Sequence, residues 1–433
     1  MVGRKAASFV IILLLAMTGW AFGRISHFYW PTPRVLPGVV LAPAGAGLEG
    51  LTREGFDELL AHWPRKVALQ LEDQTWEAAP EDFNFRIDRE LTWQRACLAG
   101  RARMAAALLG RSVTILEPVV EFDEQAFATW QESLASQVYL RPKNASLGPD
   151  GQLILAKEGR RLDLAKAKAL ILTAWLGRGP ATLALPVEKL APQTTLGDLE
   201  PFRGGCKLVS YQTPLGPSDP NRVHNIALAA QAVSGVILPP GGQFSFNQTV
   251  GPRVKELGFK EAPELIQYRL VPGIGGGICQ VSSTLYNAVL LAGLPITERH
   301  NHSRPPKYVG LGRDATVVYP GKDFAFVNDT DQSLLLVAQL DSDRLEVALV
   351  GQKPLAEQVS LAMEILEEIP FTEEEIFDPT LGFDQQEVVE EGSIGLRVRL
   401  WRTFHREDGP VRRELVGDDL HPPVARRVRK ALP

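Results

Sequence analysis

An α+β, multi-domain protein is predicted by three features of this 433-residue sequence. Helical and strand-like periodicities alternate along most of the chain. Glycine (38) and proline (32) punctuate it as in turn-rich β structure. A lone apolar, uncharged stretch stands at the N-terminus. The expected organisation is an N-terminal membrane helix, small helix–strand modules, a mixed α/β domain and a β-rich C-terminal tail. At about 150 residues per domain the length accommodates roughly two to four domains.

Composition excludes several classes. Basic and acidic side chains number 46 and 51, for a net charge of −5, so no surplus of positive charge exists to hold a nucleic acid. Apolar residues at 45% and charged residues at 22% support a folded core rather than disorder. The three cysteines, Cys97, Cys206 and Cys279, are too few and too far apart for a disulfide framework or a CxxC metal site. No cofactor is expected.

Residues 1–30 decide the compartment. Arg4 and Lys5 precede Ala6–Gly23, AASFVIILLLAMTGWAFG, and Arg24 follows. As a helix this stretch matches the thickness of a bilayer core. The same pattern fits a secretory signal peptide, with Ala21-Phe22-Gly23 as the cleavage site. His27-Phe28-Tyr29-Trp30 suits a membrane interface. The two outcomes are a single-pass protein of the cytoplasmic membrane with its bulk outside, or a secreted one.

Residues 31–50, rich in proline and glycine, read as a linker. Over 51–115 a small α+β module is expected: Thr52 caps a helix running through His62, with Phe56, Leu59 and Leu60 on one face, and Val67–Leu71 alternates as a strand. Over 116–200 a helix (Asp123–Leu134), a strand (Leu153–Ala156), a helix (Leu162–Leu176) and a strand (Thr182–Pro186) repeat that order loosely. Residues 201–350 hold a helix over Arg222–Val233, a strand over Val236–Leu238, and the run GIGGGIC ahead of a second buried helix, QVSSTLYNAVLLAGLP. Residues 351–433 are polarised: eleven acidic and no basic side chains over Glu364–Glu391, then ten basic against five acidic from Ser393 onward. Within them, EEGSIGLRVRLWRTFHREDGPVRREL reads as a β-hairpin about Asp408-Gly409.

Four stretches of 201–350 carry a family resemblance: NRVHNIALAAQAVSG, GGQFSFNQTVGPR, GGGICQVSSTLYNAVLLAGLPITERHNHS and GRDATVVYPGKDFAFVNDT. Together they resemble the VanW family, named for an accessory protein of vancomycin B-type resistance clusters. The resemblance implies a bacterial cell-envelope protein. Residues 116–200 resemble the peptidoglycan-binding domain found ahead of VanW domains, through RPKNASLGPDGQLILAKEGRRLDLAKA and ALPVEKLAPQTTLGDL. Residues 351–433 resemble a degenerate copy of the five-glycine surface domain that often follows. The function implied is binding or organising peptidoglycan, or its stem peptides, on the outer face of the cytoplasmic membrane. The N-terminal segment is the membrane contact.

Chemistry concentrates on Cys279. It opens a helix after three glycines, where the macrodipole and unpaired N–H groups favour a thiolate. His300 and His302 follow, then Asp314 twelve residues on, opening an alternating strand Ala315–Tyr319. This order is similar to transglutaminase-like cysteine enzymes, and implies an alternative function: a cysteine-dependent hydrolase or transpeptidase acting on wall peptides, with His300 or His302 as base and Asp314 orienting it. In that family the histidine opens the strand after the helix, where this chain has Asp314. The candidate catalytic residues are Cys279, His300, His302 and Asp314. Gly275, Gly276, Gly277, Gln280, Ser282 and Ser283 are the candidate ligand contacts. Two histidines at i,i+2 also suit a metal, but no third ligand is evident, and Gly275–Gly277 lacks the lysine of a P-loop. The opposing reading of Cys279 is a buried small hydrophobe at a crowded helix–strand crossing.

Overall fold

The computed structural model describes residues 34–35, 38–42, 45–61, 66–102, 113–148, 151–176, 181–266, 269–406 and 412–431. The expected N-terminal membrane helix lies outside them. Among the described residues, no helix is long and apolar enough to cross a membrane.

The chain divides into two compact units, Met1–Ala135 with Leu162–Glu188, and Ser136–Arg161 with Lys189–Pro433. In the first, Val67–Leu71 pairs antiparallel with Gln74–Ala78 and parallel with Thr182–Ala184. The β-branched and apolar alternation of Val67, Leu69 and Leu71 places Val67 and Leu69 in the interior. Phe83, Phe85, Phe127 and Trp175 form an edge-on aromatic cluster there, and the indole N–H of Trp175 donates to the Ala78 carbonyl at 3.2 Å. A satellite core of Val39, Leu41, Leu48, Phe56, Leu60 and Ala96 lies under the helices Arg53–Ala61 and Arg89–Ala102. Cys97 packs at its edge.

The second unit contains Cys279, His302 and Asp314. A four-stranded antiparallel sheet is built in the order β1 (Cys206–Pro214), β9 (Arg344–Gly351), β8 (Leu334–Leu340), β2 (Ile237–Leu238). Against it pack α1 (Pro220–Val233) and α3 (Ile278–Leu291). Asp219 caps α1, its carboxylate accepting from the N–H groups of Asn221 and Arg222, and Pro220 occupies the first turn. A second small sheet is ordered β3 (Gln243–Ser245), β7 (Ala325–Val327), β6 (Ile296–Glu298), with the short helix α2 (Phe246–Val250) after β3. The hairpin β4 (Glu261–Ile266) and β5 (Arg269–Ile274) leads into α3.

The helix α3 is buried on all sides. It contains no charged side chain, and its polar residues each find a partner, as a helix in the middle of a core must. Gly293, at φ +77°, and Pro295 end it.

The C-terminal part forms two three-stranded sheets. One is ordered β10 (Gln358–Ile369), β13 (Gly395–His405), β14 (Arg412–His421), and the expected hairpin is β13–β14. In the other, β15 (Arg426–Ala431) lies between β11 (Glu373–Asp378) and β12 (Gln386–Glu390). The polarised composition has a simple outcome. Arg426, Arg427 and Lys430 on β15 pair with Glu373, Glu374 and Glu375 on β11. These pairs are largely solvated, so they act mainly on strand register rather than on stability. The β10–β13–β14 sheet is continuous with the core beneath α3: Leu400 belongs to that core, and Arg402 Nη1 donates to the Leu294 carbonyl at 2.9 Å.

One expectation fails. Residues 315–319 run extended but join no ladder. Their main-chain groups are used elsewhere: Ala315 N–H donates to Ser283 Oγ, Thr316 N–H to the His300 carbonyl and Val318 N–H to the Lys322 carbonyl. Alternation of side chains therefore does not come from a sheet here. It comes from one edge of the chain being held on α3.

Candidate functional site

The site starts with the turn that delivers Cys279. Gly275 and Gly277 sit at φ +102° and +103°, a backbone that side chains disfavour. Gly276 is there for a different reason. A Cβ on it would lie 2.6 Å from the Pro263 carbonyl oxygen and 2.8 Å from that of Ala262. Asn225, fully buried on α1, clamps the same turn: its amide donates to the carbonyls of Lys260 and Gly276, and its oxygen accepts from Lys260 N–H at 2.8 Å. Gly276→Ala is accordingly expected to cost about 1–3 kcal/mol by forcing two backbones apart. A shift in the urea unfolding midpoint measures this, and an unchanged midpoint would show that the crossing is loose.

Cys279 stands in the first turn of α3 with its sulfur 3.6 Å from the Val317 carbonyl. It is partly exposed, at the base of a cavity of about 520 Å³ lined by Arg222, Arg253, Gly275–Gly277, Gln280, His302 and Tyr308, among others. His302 lines the same cavity beside the thiol, and each shifts the titration of the other. Its Nδ1 lies 2.6 Å from Asp314 Oδ2, which leaves Nε2 for the sulfur. The same carboxylate oxygen accepts the main-chain N–H of His302 at 2.6 Å, fixing both backbone and ring. Cys279, His302 and Asp314 are thus brought together, although they lie on a helix and two irregular segments.

His300 is not. Its Nε2 lies 2.9 Å from Glu298 Oε1 on an exposed edge. The chain leaves the ladder after β6, so the i,i+2 rule for a strand does not hold across 300–302.

Asp314 is 1% exposed and its charge is matched by Arg299. Arg299 Nη2 donates to Asp314 Oδ1 at 3.1 Å and its Nε to the Asp314 carbonyl at 2.7 Å. Its Nη1 reaches Asp419 Oδ1 on β14 at 2.5 Å. From the same strand, His421 Nδ1 donates to the His302 carbonyl at 3.0 Å. Asp314, Asp419 and His421 are close enough to share a cation. The guanidinium of Arg299 already lies between the two carboxylates and supplies that charge.

Electrostatics follow from this geometry. Burial opposes ionisation of the Cys279 thiol. The hydrogen bond and charge of His302, helped by the Val317 backbone and Arg253, outweigh it and bring the thiol below its ordinary pKa. Burial likewise opposes the His302 imidazolium, but hydrogen bonds to Asp314 and Cys279 push it up to about 9. Asp314 is disfavoured as an anion by burial, yet held below the usual carboxylate range by His302 and Arg299. Both shifts act in one direction, favouring a charged Cys279–His302 pair over a neutral one. Tyr308, hydrogen-bonded to Ser283, is kept neutral chiefly by burial, then by the nearby thiolate.

The glycine turn and Gln280 line the cavity, but Ser282 and Ser283 do not. Both serines are fully buried. Ser282 Oγ donates to the Ala315 carbonyl at 2.6 Å, and Ser283 Oγ accepts from Ala315 N–H at 2.9 Å. They pin the segment bearing Asp314 to α3, which explains why neutral hydroxyls sit there. Gln280 bridges Arg222 Nη2 to Thr213 and the Pro214 carbonyl, so it props the cavity wall. Arg222, Arg253, Arg299, Tyr308 and Asp419 were not singled out from the sequence.

Comparison with known proteins gives two domain matches. Residues 221–350 match the model described as VanW like protein, and residues 364–430 match the G5 domain. The chain is 36% identical to YoaR of Bacillus subtilis over 222 residues, 51% of this chain and 72% of that protein. It is 29% identical to the vancomycin B-type resistance protein VanW of Enterococcus faecalis over 150 residues, 33% of this chain and 54% of that protein. A solved G5 domain of an IgA1 protease is 28% identical over 18% of this chain and 92% of that one, with a TM-score of 0.14.

Proposed function

Because the chain belongs to the VanW family and follows that domain with a G5 domain, we propose that it is a cell-envelope enzyme transferring acyl groups of wall peptides through Cys279. The observation that carries this reading is the Cys279–His302–Asp314 grouping at the base of a cavity. On this reading the apolar stretch Ala6–Gly23 exports the chain, retained as an anchor or cleaved, and the G5 domain and residues 116–200 hold peptidoglycan while the cavity acts on its stem peptides.

The chemistry is that of an activated thiol. The Cys279 thiolate attacks the carbonyl carbon of an amide. The carbon–sulfur bond forms and the carbonyl π pair moves to oxygen. As the tetrahedral adduct collapses, the carbon–nitrogen bond breaks and His302 gives its proton to the departing amine. A thioester remains. Water or a second amine then attacks it while His302 takes the incoming proton, and the thiolate is expelled. Asp314, buried and paired with Arg299, keeps the ring in one tautomer throughout.

Two measurements test this. In the native protein Cys279 is expected to react with iodoacetamide near neutral pH faster than free cysteine, and an acyl adduct on Cys279 should appear by intact mass after mixing with stem peptides. Labelling of Cys279 only after unfolding would overturn the reading. Turnover is expected to fall on the alkaline side as pH rises through about 9, because His302, raised to that value, must be protonated to release the amine. On the acid side the fall is displaced below the ordinary thiol range, because the Cys279 thiol is depressed. A pH–rate profile with no alkaline limb near that value would count against His302 as the proton donor.

A further inference from the structure

We infer that Arg253 is a receptor for a carboxylate on the acyl donor, so that the cavity selects peptides carrying a free carboxylate beside the amide it cleaves. This rests on Cys279 being the nucleophile of the same cavity.

The observation is an arginine without an acceptor. Arg253 lines the cavity together with Cys279, yet neither Nη1 nor Nη2 has a hydrogen-bond partner among the described residues, and both are shielded from water. A buried, unpaired guanidinium is a costly arrangement for the free protein, one that a ligand bearing the opposite charge relieves. The surroundings hold it in place. Its charged end lies 5.7 Å from the ring centroids of both Phe246 and Tyr319, and its Cβ and Cγ abut Gly275 so closely that a Cβ on that glycine would lie 3.1 Å from each.

No acid nearby is free to serve it. Asp323, on the same side, already accepts from Ser245 Oγ and from the N–H groups of Asn247 and Phe324. Glu264, which also lines the cavity, is pushed towards its neutral form by burial. The second arginine of the wall, Arg222, is spent on Ser218 and Gln280, both neutral. Beside Cys279 and His302 the wall therefore presents two arginines and one reluctant acid to whatever enters, and of the arginines only Arg253 has its terminal donors unclaimed. A planar guanidinium so held matches a carboxylate through two parallel N–H···O bonds.

The test separates binding from turnover. The full chain carrying Cys279→Ala is titrated calorimetrically with a wall stem tetrapeptide in three forms: free acid, C-terminal carboxamide, and side-chain carboxylates amidated. Free acid is expected to bind about 10- to 100-fold more tightly than whichever amidated form lacks the recognised group, which also identifies the terminal or side-chain source. In Arg253→Met, Cys279→Ala that preference disappears. Arg253→Lys keeps the charge but loses the fork, and retains only part of it. The melting temperature of Arg253→Met, Cys279→Ala should not fall below that of Cys279→Ala, because no hydrogen bond from Nη1 or Nη2 is lost and Met keeps the apolar contact with Phe246 and Tyr319. Equal binding of all three peptides, or a preference that survives Arg253→Met, overturns the assignment. Failure of Cys279 to alkylate in the native protein would instead remove the catalytic reading, an outcome this titration does not depend on.

Discussion

Cys279→Ala should abolish turnover of wall peptides, and His302→Gln should reduce it by about ten-thousand-fold, with the double variant no worse than the poorer single one. Residues that act as a unit lose their whole contribution at the first removal. The thiol gives a second, independent readout. In wild type the pH dependence of iodoacetamide labelling should place the Cys279 thiol below its ordinary range, because the His302 charge and hydrogen bond outweigh burial. In His302→Gln the midpoint should rise, since the burial penalty is then opposed only by the Val317 backbone and Arg253. An unchanged labelling profile with lost turnover would mean that His302 binds substrate and does not activate sulfur.

The second large effect concerns stability. Arg299→Leu is expected to destabilise the second unit by about 3–5 kcal/mol, because it leaves two carboxylates, Asp314 and Asp419, buried without their shared cation. The pH dependence has a definite sign. In wild type Asp314 is depressed below the usual carboxylate range, so its contribution is complete above the unfolded value and is lost as pH falls through the folded one. Without Arg299 that depression shrinks. The stability gap between wild type and variant should therefore be widest near neutral pH and narrow on acidification. Chemical unfolding at several pH values measures it, and a gap independent of pH would show that lost packing, not lost charge, is responsible.

The two outcomes differ in how far the sequence foretold them. Cys279 was legible because three glycines before a buried helix are an uncommon local pattern with one physical use, close approach of backbones. His302 and Asp314 were legible as residue types within reach of the cysteine. The choice between His300 and His302 was not, since it depends on the chain leaving the β6 ladder at residue 299, which no periodicity reports. Ser282 and Ser283 looked like ligand contacts because hydroxyls on an apolar helix invite that reading. Their true partner is the main chain of Ala315, visible only once the loop is placed. Arg299 and Asp419 are separated by 120 positions and belong to different sequence families, so their pairing leaves no local trace. The helices around α1 and α3 were foretold well for the opposite reason, since capping residues and apolar spacing are local properties. The strand expected at Ala315–Tyr319 shows the limit: alternation reports which side of a segment is covered, not whether a neighbour pairs with it.

The guanidinium shared by Asp314 and Asp419 has an evolutionary consequence. Domains joined by a linker can be shuffled, each bringing its own trade to a new host. Here a member of one family completes the electrical balance of another, and β14 carries the completing acid. Exchanging the tail of this protein for one without an acid at that spot would leave Arg299 with Asp314 as its sole anionic partner of the two.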